Sequence, residues 1–384
     1  MDIDLSKVIR PGDGIVLGQA CAEPQVLSAA LVAQRSAFSG ASVFLGVNYA
    51  GIVRPEHADH LKLASYCGAG HNRALADAGV LDIHPHPYSR LAPLIRERKI
   101  PCDVALIQVS PPNARGEYSM GLAVDYLLPA LQGARAVIAE VNDRIPWTHT
   151  EKLFRKEDFA LLVDASYEPA SPPPARCGEV EQTIAGHAAG FVPDGATLEF
   201  GLGILPDMVC AALLGKKNLS VHSGVIADGV ADLMQSGVVV KTVCGQLIGT
   251  RKLFDFAREN PALALRSTEH THDHRLLAGI ERFVAINSAV EVDLTGQVNA
   301  EVARGSYLGA VGGALDFMRA ASQSPGGVSL LLLPAARIVA ELSGPVSTPR
   351  SEAGVVVTER GAADLRGCTL RERIRRLTAI SSLN

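Results

Sequence analysis

The stretch Gly195–Gly237, GATLEFGLGILPDMVCAALLGKKNLSVHSGVIADGVADLMQSG, decides the fold of this chain. Its residues 197–200 predict a short apolar strand, and the tight turn Gly201-Leu-Gly203 leaves that strand. A helix is predicted over 206–214 because a proline stands in its first turn. The next strand is predicted over 219–222, so the stretch forms one βαβ unit of a parallel sheet.

Three glycines follow the two predicted strands. Parallel units place their loops at the carboxyl edge of the sheet, where α/β proteins bind ligands, so we expect Gly201, Gly203 and Gly224 to lie beside a ligand. A dinucleotide site would require G-x-G-x-x-G and an acidic residue closing the second strand. Here Pro206 takes the place of the third glycine and the second strand ends in His222. The pattern therefore disfavours a nicotinamide site. This alternative hypothesis predicts that the protein binds NAD.

Composition and charge narrow the class of protein. The 384 residues allow two or three domains, and 47% apolar with 20% charged residues is typical of a soluble globular protein. A formal net charge of −4 without a Lys/Arg-rich run argues against nucleic acid as a partner. The N-terminus MDIDLSKVIRPGDG lacks the pattern of a signal peptide, and no apolar run is long enough for a membrane span. We expect a cytoplasmic protein with no membrane association.

Ligands for a metal are not evident. The 7 cysteines are scattered without a C-x-x-C pair, which predicts reduced thiols rather than disulfides or a zinc site. His270, His272 and His274 alternate in EHTHDHR, so three imidazoles could share one strand face. We favour a polar surface loop or edge for this segment over a metal site, and we expect no metal and no cofactor.

The first half of the chain alternates strands with helices. Strands are predicted over 13–18, 41–46, 104–109 and 136–140, with a helix over 24–35 after the first of them. This alternation predicts an α/β fold with parallel sheets. Four prolines in the segment Ser166–Arg176 predict an exposed, semi-rigid linker. We place a domain boundary there, between an N-terminal domain over 1–170 and a C-terminal domain over 177–384.

Several motifs together resemble the acetyl-CoA hydrolase/transferase family, relatives of 4-hydroxybutyrate CoA-transferase. The resemblance runs from near Gly12 to the end of the chain. Its blocks are LEFGLG at 198–203, LSVHSGVIADGV at 219–230, DVALIQVSPPNARGEYSMGLAVDY at 103–126, VIAEVNDRIPWT at 137–148, AINSAVEVDLTGQVNAE at 285–301, LGAVGGALDF at 308–317, VSTPR at 346–350 and VTERGAADLRG at 357–367.

The resemblance implies a CoA-transferase type of fold, with two similar open parallel-sheet α/β halves and the active site between them. It implies that the substrates are an acyl-CoA thioester and a carboxylic acid, without a further cofactor. It also implies an oligomer, either a homodimer or a hetero-oligomer with a homologous subunit.

The family's catalytic residue is missing. By the resemblance, Gly224 stands where the family has a glutamate that attacks the thioester and becomes a glutamyl-CoA thioester. Glu199 replaces a glutamine of the family on the neighbouring strand, and the pleat of the strands decides whether it points into the same pocket. If it does, Glu199 is our candidate catalytic general base on water. Otherwise it is a hydrogen-bonded core carboxyl.

The remaining site residues are carried over from the family's loops. The resemblance implies backbone donors to the thioester oxygen near Gln19 and Ala20, although Gly18 can equally just end a strand. The loop with Gly312 and Gly313 approaches the acyl-CoA. The residues predicted to bind substrate are Gln19, Ala20, Gly201, Gly203, Ser223, Gly224, Gly312 and Gly313.

Two functions of different class follow. The first is an acyl-CoA processing enzyme that transfers CoA between carboxylic acids or hydrolyses the thioester. The second is a catalytically silent subunit that binds acyl-CoA or pairs with an active homologous partner.

Overall fold

A computed structural model describes residues 3–173 and 177–383. These residues divide into two compact units. The first runs to Pro172 and also contains Gly245–Glu269 and Ser306–Leu308, whereas the second contains Pro173–Cys244, His270–Gly305 and the residues from Gly309 onward. The proposed linker has neither helix nor strand over 166–173, and its residues 174–176 lie outside the described part. The continuous domains 1–170 and 177–384 remain a prediction.

The first unit is built on a fully parallel sheet. The elements up to the linker are β1 (Gly14–Leu17), α1 (Gln25–Ala33), β2 (Ser42–Leu45), β3 (Lys62–Ser65), α2 (Asn72–Asp77), β4 (Leu81–Ile83), α3 (Leu91–Arg96), β5 (Val104–Val109), α4 (Leu127–Gly133), β6 (Ala136–Asn142), β7 (His149–Thr150) and β8 (Leu161–Ala165). The strands of the sheet pair in the order β4-β3-β2-β1-β5-β6-β8. The interior strand β5 is buried along its whole length, as expected for a parallel strand covered on both faces.

The elements after the linker alternate in the same way. They are α5 (Glu179–Ala189), β9 (Thr197–Phe200), α6 (Ile204–Ala212), β10 (Leu219–Ile226), α7 (Asp228–Gln235), β11 (Val239–Leu247), α8 (Arg251–Ala257), β12 (Leu263–Leu265), α9 (Thr268–Thr271), α10 (His274–Ala278), β13 (Phe283–Ser288), β14 (Glu291–Asp293), β15 (Val298–Asn299), β16 (Val302–Ala303), β17 (Ser306–Tyr307), α11 (Ala314–Gln323), β18 (Val328–Leu332), β19 (Ile338–Val339), β20 (Val355–Thr358), β21 (Gly361–Asp364) and α12 (Leu370–Ala379).

The sheet of the second unit runs β21-β20-β18-β13-β9-β10-β11. β9 pairs in parallel with β10 on one side and β13 on the other, whereas β20 and β21 pair antiparallel. The α/β fold with large parallel sheets predicted from the sequence is therefore confirmed. Helix α11 packs on β13 and β18, and its Phe317 joins Phe283 and Ala285 of β13 in one apolar cluster.

Two local predictions were wrong. β10 does not end at His222 but continues to Ile226, so Ser223 and Gly224 lie within the strand. The hydroxyl of Ser223 supports this extension, because it accepts a hydrogen bond from the amide of Phe200 at 3.2 Å and donates to the carbonyl oxygen of Val225 at 2.7 Å.

The histidine segment 270–274 contains no strand, and it is not a surface loop along its whole length. His270 lies in α9, His274 begins α10, and His272 between them is buried with 5% of its surface exposed. The reason is non-local: His272 packs against Phe317 of α11, with 4.5 Å between the ring centroids.

Candidate functional site

Glu199 and residue 224 face the same side of the second sheet. The register pairs Val221 with Leu198, and side chains alternate along each strand, so residues 220, 222 and 224 of β10 share a face with 197 and 199 of β9. The sequence left open whether Glu199 points to the same side as residue 224, and the register of the two strands answers this. Gly224 is one strand across the sheet from Glu199 and two residues further along. This offset places their Cα atoms about 8 Å apart. We call this side of the sheet the Glu199 face.

The carboxyl of Glu199 is buried and has a defined partner. Its Oε2 accepts a hydrogen bond from Nδ2 of Asn287 at 2.7 Å, and only 2% of its surface is exposed. Burial raises its pKa from 4.5 to about 8, while the hydrogen bonds from Asn287 and the backbone of Ile286 oppose that rise. In neutral solution this group is therefore mostly a protonated acid, and it becomes a base as the pH rises through 8.

Two buried imidazoles stand on the same face. His222 stacks on His270 with 5.5 Å between ring centroids, and its Nε2 lies 3.2 Å from the carbonyl oxygen of Thr271. Burial, and then the neighbouring His270, lower the pKa of His222 to about 4. Burial, and then His222, lower the pKa of His272 to about 3. Both rings are therefore neutral at physiological pH.

The two predicted glycine positions meet at one of these rings. A β-carbon on Gly224 would lie 3.0 Å from Cε1 of His272, and one on Gly313 would lie 2.7 Å from its Nε2. Gly313 immediately precedes α11, while Gly312 has a φ of 61°, a conformation that favours glycine. The sequence named His272 only as one of three histidines of a conceivable metal site, and its nearness to two glycines far away in the chain was not foreseen.

The other glycines of the βαβ unit have structural explanations. A β-carbon on Gly201 would lie 2.5 Å from Oδ1 of Asn287, so a side chain there is excluded. Gly203 has a φ of 126° and precedes α6. The buried hydroxyl of Ser223 makes hydrogen bonds to the backbone of Phe200 and Val225. The substrate-binding roles of Gly201, Gly203 and Ser223 remain predictions.

Gln19 lies in a buried polar network of the first unit. Its Nε2 donates to the hydroxyl oxygen of Tyr88 at 2.7 Å and to Oδ2 of Asp125 at 2.6 Å. Its Oε1 accepts from the hydroxyl of Tyr66 at 2.9 Å and from the amide of Val47 at 3.1 Å. The side chain is therefore fully used for internal hydrogen bonds.

Ala20 adopts a left-handed conformation with a φ of 52°, and its amide donates to the carbonyl oxygen of Val47 at 2.7 Å. A role for this amide in binding a thioester oxygen would require that hydrogen bond to be shared or broken. The oxyanion role of Gln19 and Ala20 stays a prediction. Burial also raises the pKa of the neighbouring Asp125 to about 6.

These features define a class of protein. A parallel α/β sheet that carries a buried carboxyl, two neutral imidazoles and a glycine loop before a helix has the general properties of an α/β enzyme site. Comparison with known proteins makes the class specific. Residues 3–154 match the acetyl-CoA hydrolase/transferase N-terminal domain, and residues 249–382 match the acetyl-CoA hydrolase/transferase C-terminal domain. The chain belongs to this family, as the motifs predicted.

Relatives and solved structures agree with this assignment. The chain is 35% identical to the 4-hydroxybutyrate coenzyme A transferase of Clostridium kluyveri over 96% of this chain and 90% of the relative. RipA from Yersinia pestis superposes with a TM-score of 0.92 at 28% identity, covering 98% and 92% of the two chains. The 4-hydroxybutyrate CoA-transferase of Porphyromonas gingivalis superposes with a TM-score of 0.80 at 30% identity and the same coverage. Segment 155–248, which contains Gly224, lies between the two family matches, so the alignment of Gly224 with the family's glutamate stays a prediction.

No helix within residues 3–173 and 177–383 is long and apolar enough to cross a membrane.

Proposed function

We propose that this protein processes acyl-CoA thioesters and that water is its favoured acceptor. The family assignment supports the substrate class, because its members are acetyl-CoA hydrolases and transferases. The observation that carries the choice of acceptor is Gly224. A glycine has no carboxylate with which to form an acyl anhydride, and a β-carbon there would lie only 3.0 Å from the ring of His272.

The proposed reaction is thioester hydrolysis. The oxygen of water attacks the thioester carbonyl, the C–S bond breaks, and the products are a carboxylic acid and free CoA. The amides at the start of α11 are suited to stabilise the negative charge that develops on the carbonyl oxygen. Two of the proteins named above are CoA-transferases by name, so they do not favour the silent-subunit hypothesis. Subunit composition, cofactor content and cellular location remain predictions.

Glu199 acts as a base only in alkaline solution. The pKa of its carboxyl is about 8, so the ionised form is a minority below that pH and predominates above it. We therefore expect Glu199 to add a rise in hydrolytic rate above pH 8. At pH 7 the protonated carboxyl is a hydrogen-bond donor to the site rather than a proton acceptor.

The test follows free thiol released from a panel of acyl-CoA esters, with and without acetate as acceptor. We expect release without acetate, and we expect Glu199→Gln to retain the rate at pH 7 while losing the rise above pH 8. Glu281→Gln, at an exposed carboxyl before β13, is the matched control. CoA transfer to acetate with no release of thiol would overturn water as the acceptor. Absence of both reactions would overturn the proposed function.

A further inference from the structure

The topology of the second sheet singles out one pair of neighbouring strands. From β9 the chain continues to β10 and β11 on one side of β9, and it then returns through β13 to the other side, followed outward by β18 and β20. In open parallel sheets, ligands bind outside the carboxyl ends of the strands where the strand order reverses. In this sheet that place is between β9 and β13.

Glu199 and Asn287 stand at this place. Glu199 is the penultimate residue of β9, which ends at Phe200, and Asn287 is the penultimate residue of β13, which ends at Ser288. The register pairs Ala285 with Glu199, so Asn287, two residues further along β13, projects from the same face. Its Nδ2 donates to Oε2 of Glu199 at 2.7 Å, and both side chains are buried. This hydrogen bond is therefore shielded from water.

Gly201 holds the other end of the same amide. A β-carbon on Gly201 would lie 2.5 Å from Oδ1 and 3.2 Å from Cγ of Asn287. The φ of Gly201 is not positive, so the amide of Asn287, rather than the backbone conformation, requires glycine here. The backbone of Gly201 is itself held, because its amide donates to the carbonyl oxygen of Ile286 at 2.8 Å. Asn287 is thus confined between the carboxyl of Glu199 and the backbone of Gly201.

Ionised Glu199 has no nearby cation to stabilise it. Within the part of the chain that the structure describes, no charged side chain contributes to the pKa of this carboxyl. The imidazoles that neighbouring elements bring to the Glu199 face are His222, with His270 stacked on it, and His272. Burial lowers the pKa of His222 to about 4 and that of His272 to about 3, so both rings are neutral. Stabilisation of the carboxylate therefore depends on hydrogen bonds.

The hydrogen bond from Asn287 favours the ionised form. An amide donates more strongly to a carboxylate than to a neutral acid. Burial raises the pKa of Glu199, and Asn287 and then the backbone of Ile286 oppose that rise.

We propose that Asn287 is the positioning residue of Glu199, because it holds the carboxyl at the carboxyl end of β9 and stabilises its ionised form. This role rests on the proposed function, in which Glu199 accepts the proton of water in alkaline solution. Asn287 itself exchanges no proton. It acts through Glu199, by setting the pH above which the base form of that side chain exists.

Asn287→Leu tests this role without reference to activity, since leucine has a similar shape and no donor. We expect the pKa of Glu199 to rise by about one to two pH units, the loss of one hydrogen bond to a charged group. The measurement compares the stability of Asn287→Leu with that of Asn287→Leu/Glu199→Gln from pH 4 to 10. With Asn287 present, the corresponding difference between wild type and Glu199→Gln should level off near pH 8. In the Asn287→Leu background it should grow until about pH 9–10.

The pH profile of thiol release gives a second measurement. In Asn287→Leu, the rise in hydrolytic rate that depends on Glu199 should move to higher pH by the same amount. Gly201→Ala should move it in the same direction, because the added β-carbon displaces Oδ1 of Asn287. Ser288→Ala is the matched control. Ser288 is the next residue of β13, on the opposite face, and its hydroxyl donates to the carbonyl oxygen of Leu202 at 3.4 Å, so both pH dependences should be unchanged.

Asn287→Asp replaces the first variant if Asn287→Leu does not fold. It has the same shape, lacks the donor and adds a second carboxyl, so the pair should keep a proton to higher pH than Glu199 does alone. A stability difference that still levels off near pH 8 in these variants would mean a purely structural role and would overturn the proposal. If the wild-type protein releases no thiol from any acyl-CoA, the proposed function fails, whereas the stability measurement still decides whether Asn287 stabilises ionised Glu199.

Discussion

The buried carboxyl of Glu199 should make the stability of the protein depend on pH. The pKa of this group is about 8 in the folded protein and 4.5 is its ordinary value, so folding raises it. Below pH 4.5 both the folded and the unfolded protein hold the proton, so this carboxyl does not destabilise the fold. Between 4.5 and 8 the folded state keeps the proton that the unfolded state releases, so the free energy of unfolding falls as the pH rises. Above pH 8 the carboxyl is ionised in both states, and the full destabilisation from burying its charge is present.

The magnitude follows from the difference between the two values. At 1.36 kcal/mol for each pKa unit, a rise from 4.5 to about 8 corresponds to a destabilisation of about 5 kcal/mol in alkaline solution. That is comparable with the whole stability of a small domain. Glu199→Gln imitates the protonated form, because its amide oxygen can still accept from Nδ2 of Asn287. The variant should match the wild type at pH 4 and exceed it by several kcal/mol at pH 9.

Urea denaturation followed by far-ultraviolet circular dichroism at pH 4, 5, 7 and 9 measures this difference. Circular dichroism is the appropriate signal because the single tryptophan, Trp147, belongs to the first unit, whereas Glu199 belongs to the second. Glu281→Gln, which removes an exposed carboxyl, controls for the change in net charge. A stability difference between Glu199→Gln and wild type that stays constant from pH 4 to 9 would refute the assignment of a buried, proton-retaining carboxyl.

Two other predictions concern packing and helix capping. Gly46→Ala should lower the free energy of unfolding, measured by thermal melts, by about 1–3 kcal/mol, because its β-carbon would lie 2.2 Å from Oε1 of Gln19. The control Gly133→Ala should be tolerated, because no atom lies within 4 Å of its β-carbon. Thr369→Ala should cost about 1 kcal/mol, because it removes the side chain that caps α12. Thr369→Asp should retain most of that stability, and equal losses for Ala and Asp would contradict the capping role.

The sequence predicted those features that depend on neighbouring residues. The strands at 104–109 and 197–200 were predicted with their observed bounds, because a short apolar run between turn residues is a local signal. Family membership was likewise evident from motifs. The length of β10 was missed, since polar or small residues at 222–224 interrupt the apolar run before its last two residues, Val225 and Ile226.

The chemistry of the site was harder to predict because it depends on contacts between distant segments. Whether Glu199 faces residue 224 depends on the register of two strands, which composition does not reveal. The burial of His272 depends on Phe317 and on two glycines that are separated from each other by almost ninety residues. In the sequence, EHTHDHR is typical of an exposed polar segment, and nothing local distinguishes His272 from its neighbours.

The same contacts explain why Gly224 and His272 must be considered together. Residue 224 lies on the Glu199 face, so any side chain there would point to the space that the imidazole fills, and its first atom would already be 3.0 Å from the ring. A side chain at 224 therefore requires the imidazole of His272 to give way by a few tenths of an ångström. The glycine at 224 and the buried imidazole at 272 thus belong to one packing arrangement. Under the proposed function, water rather than a carboxylate at 224 attacks the thioester.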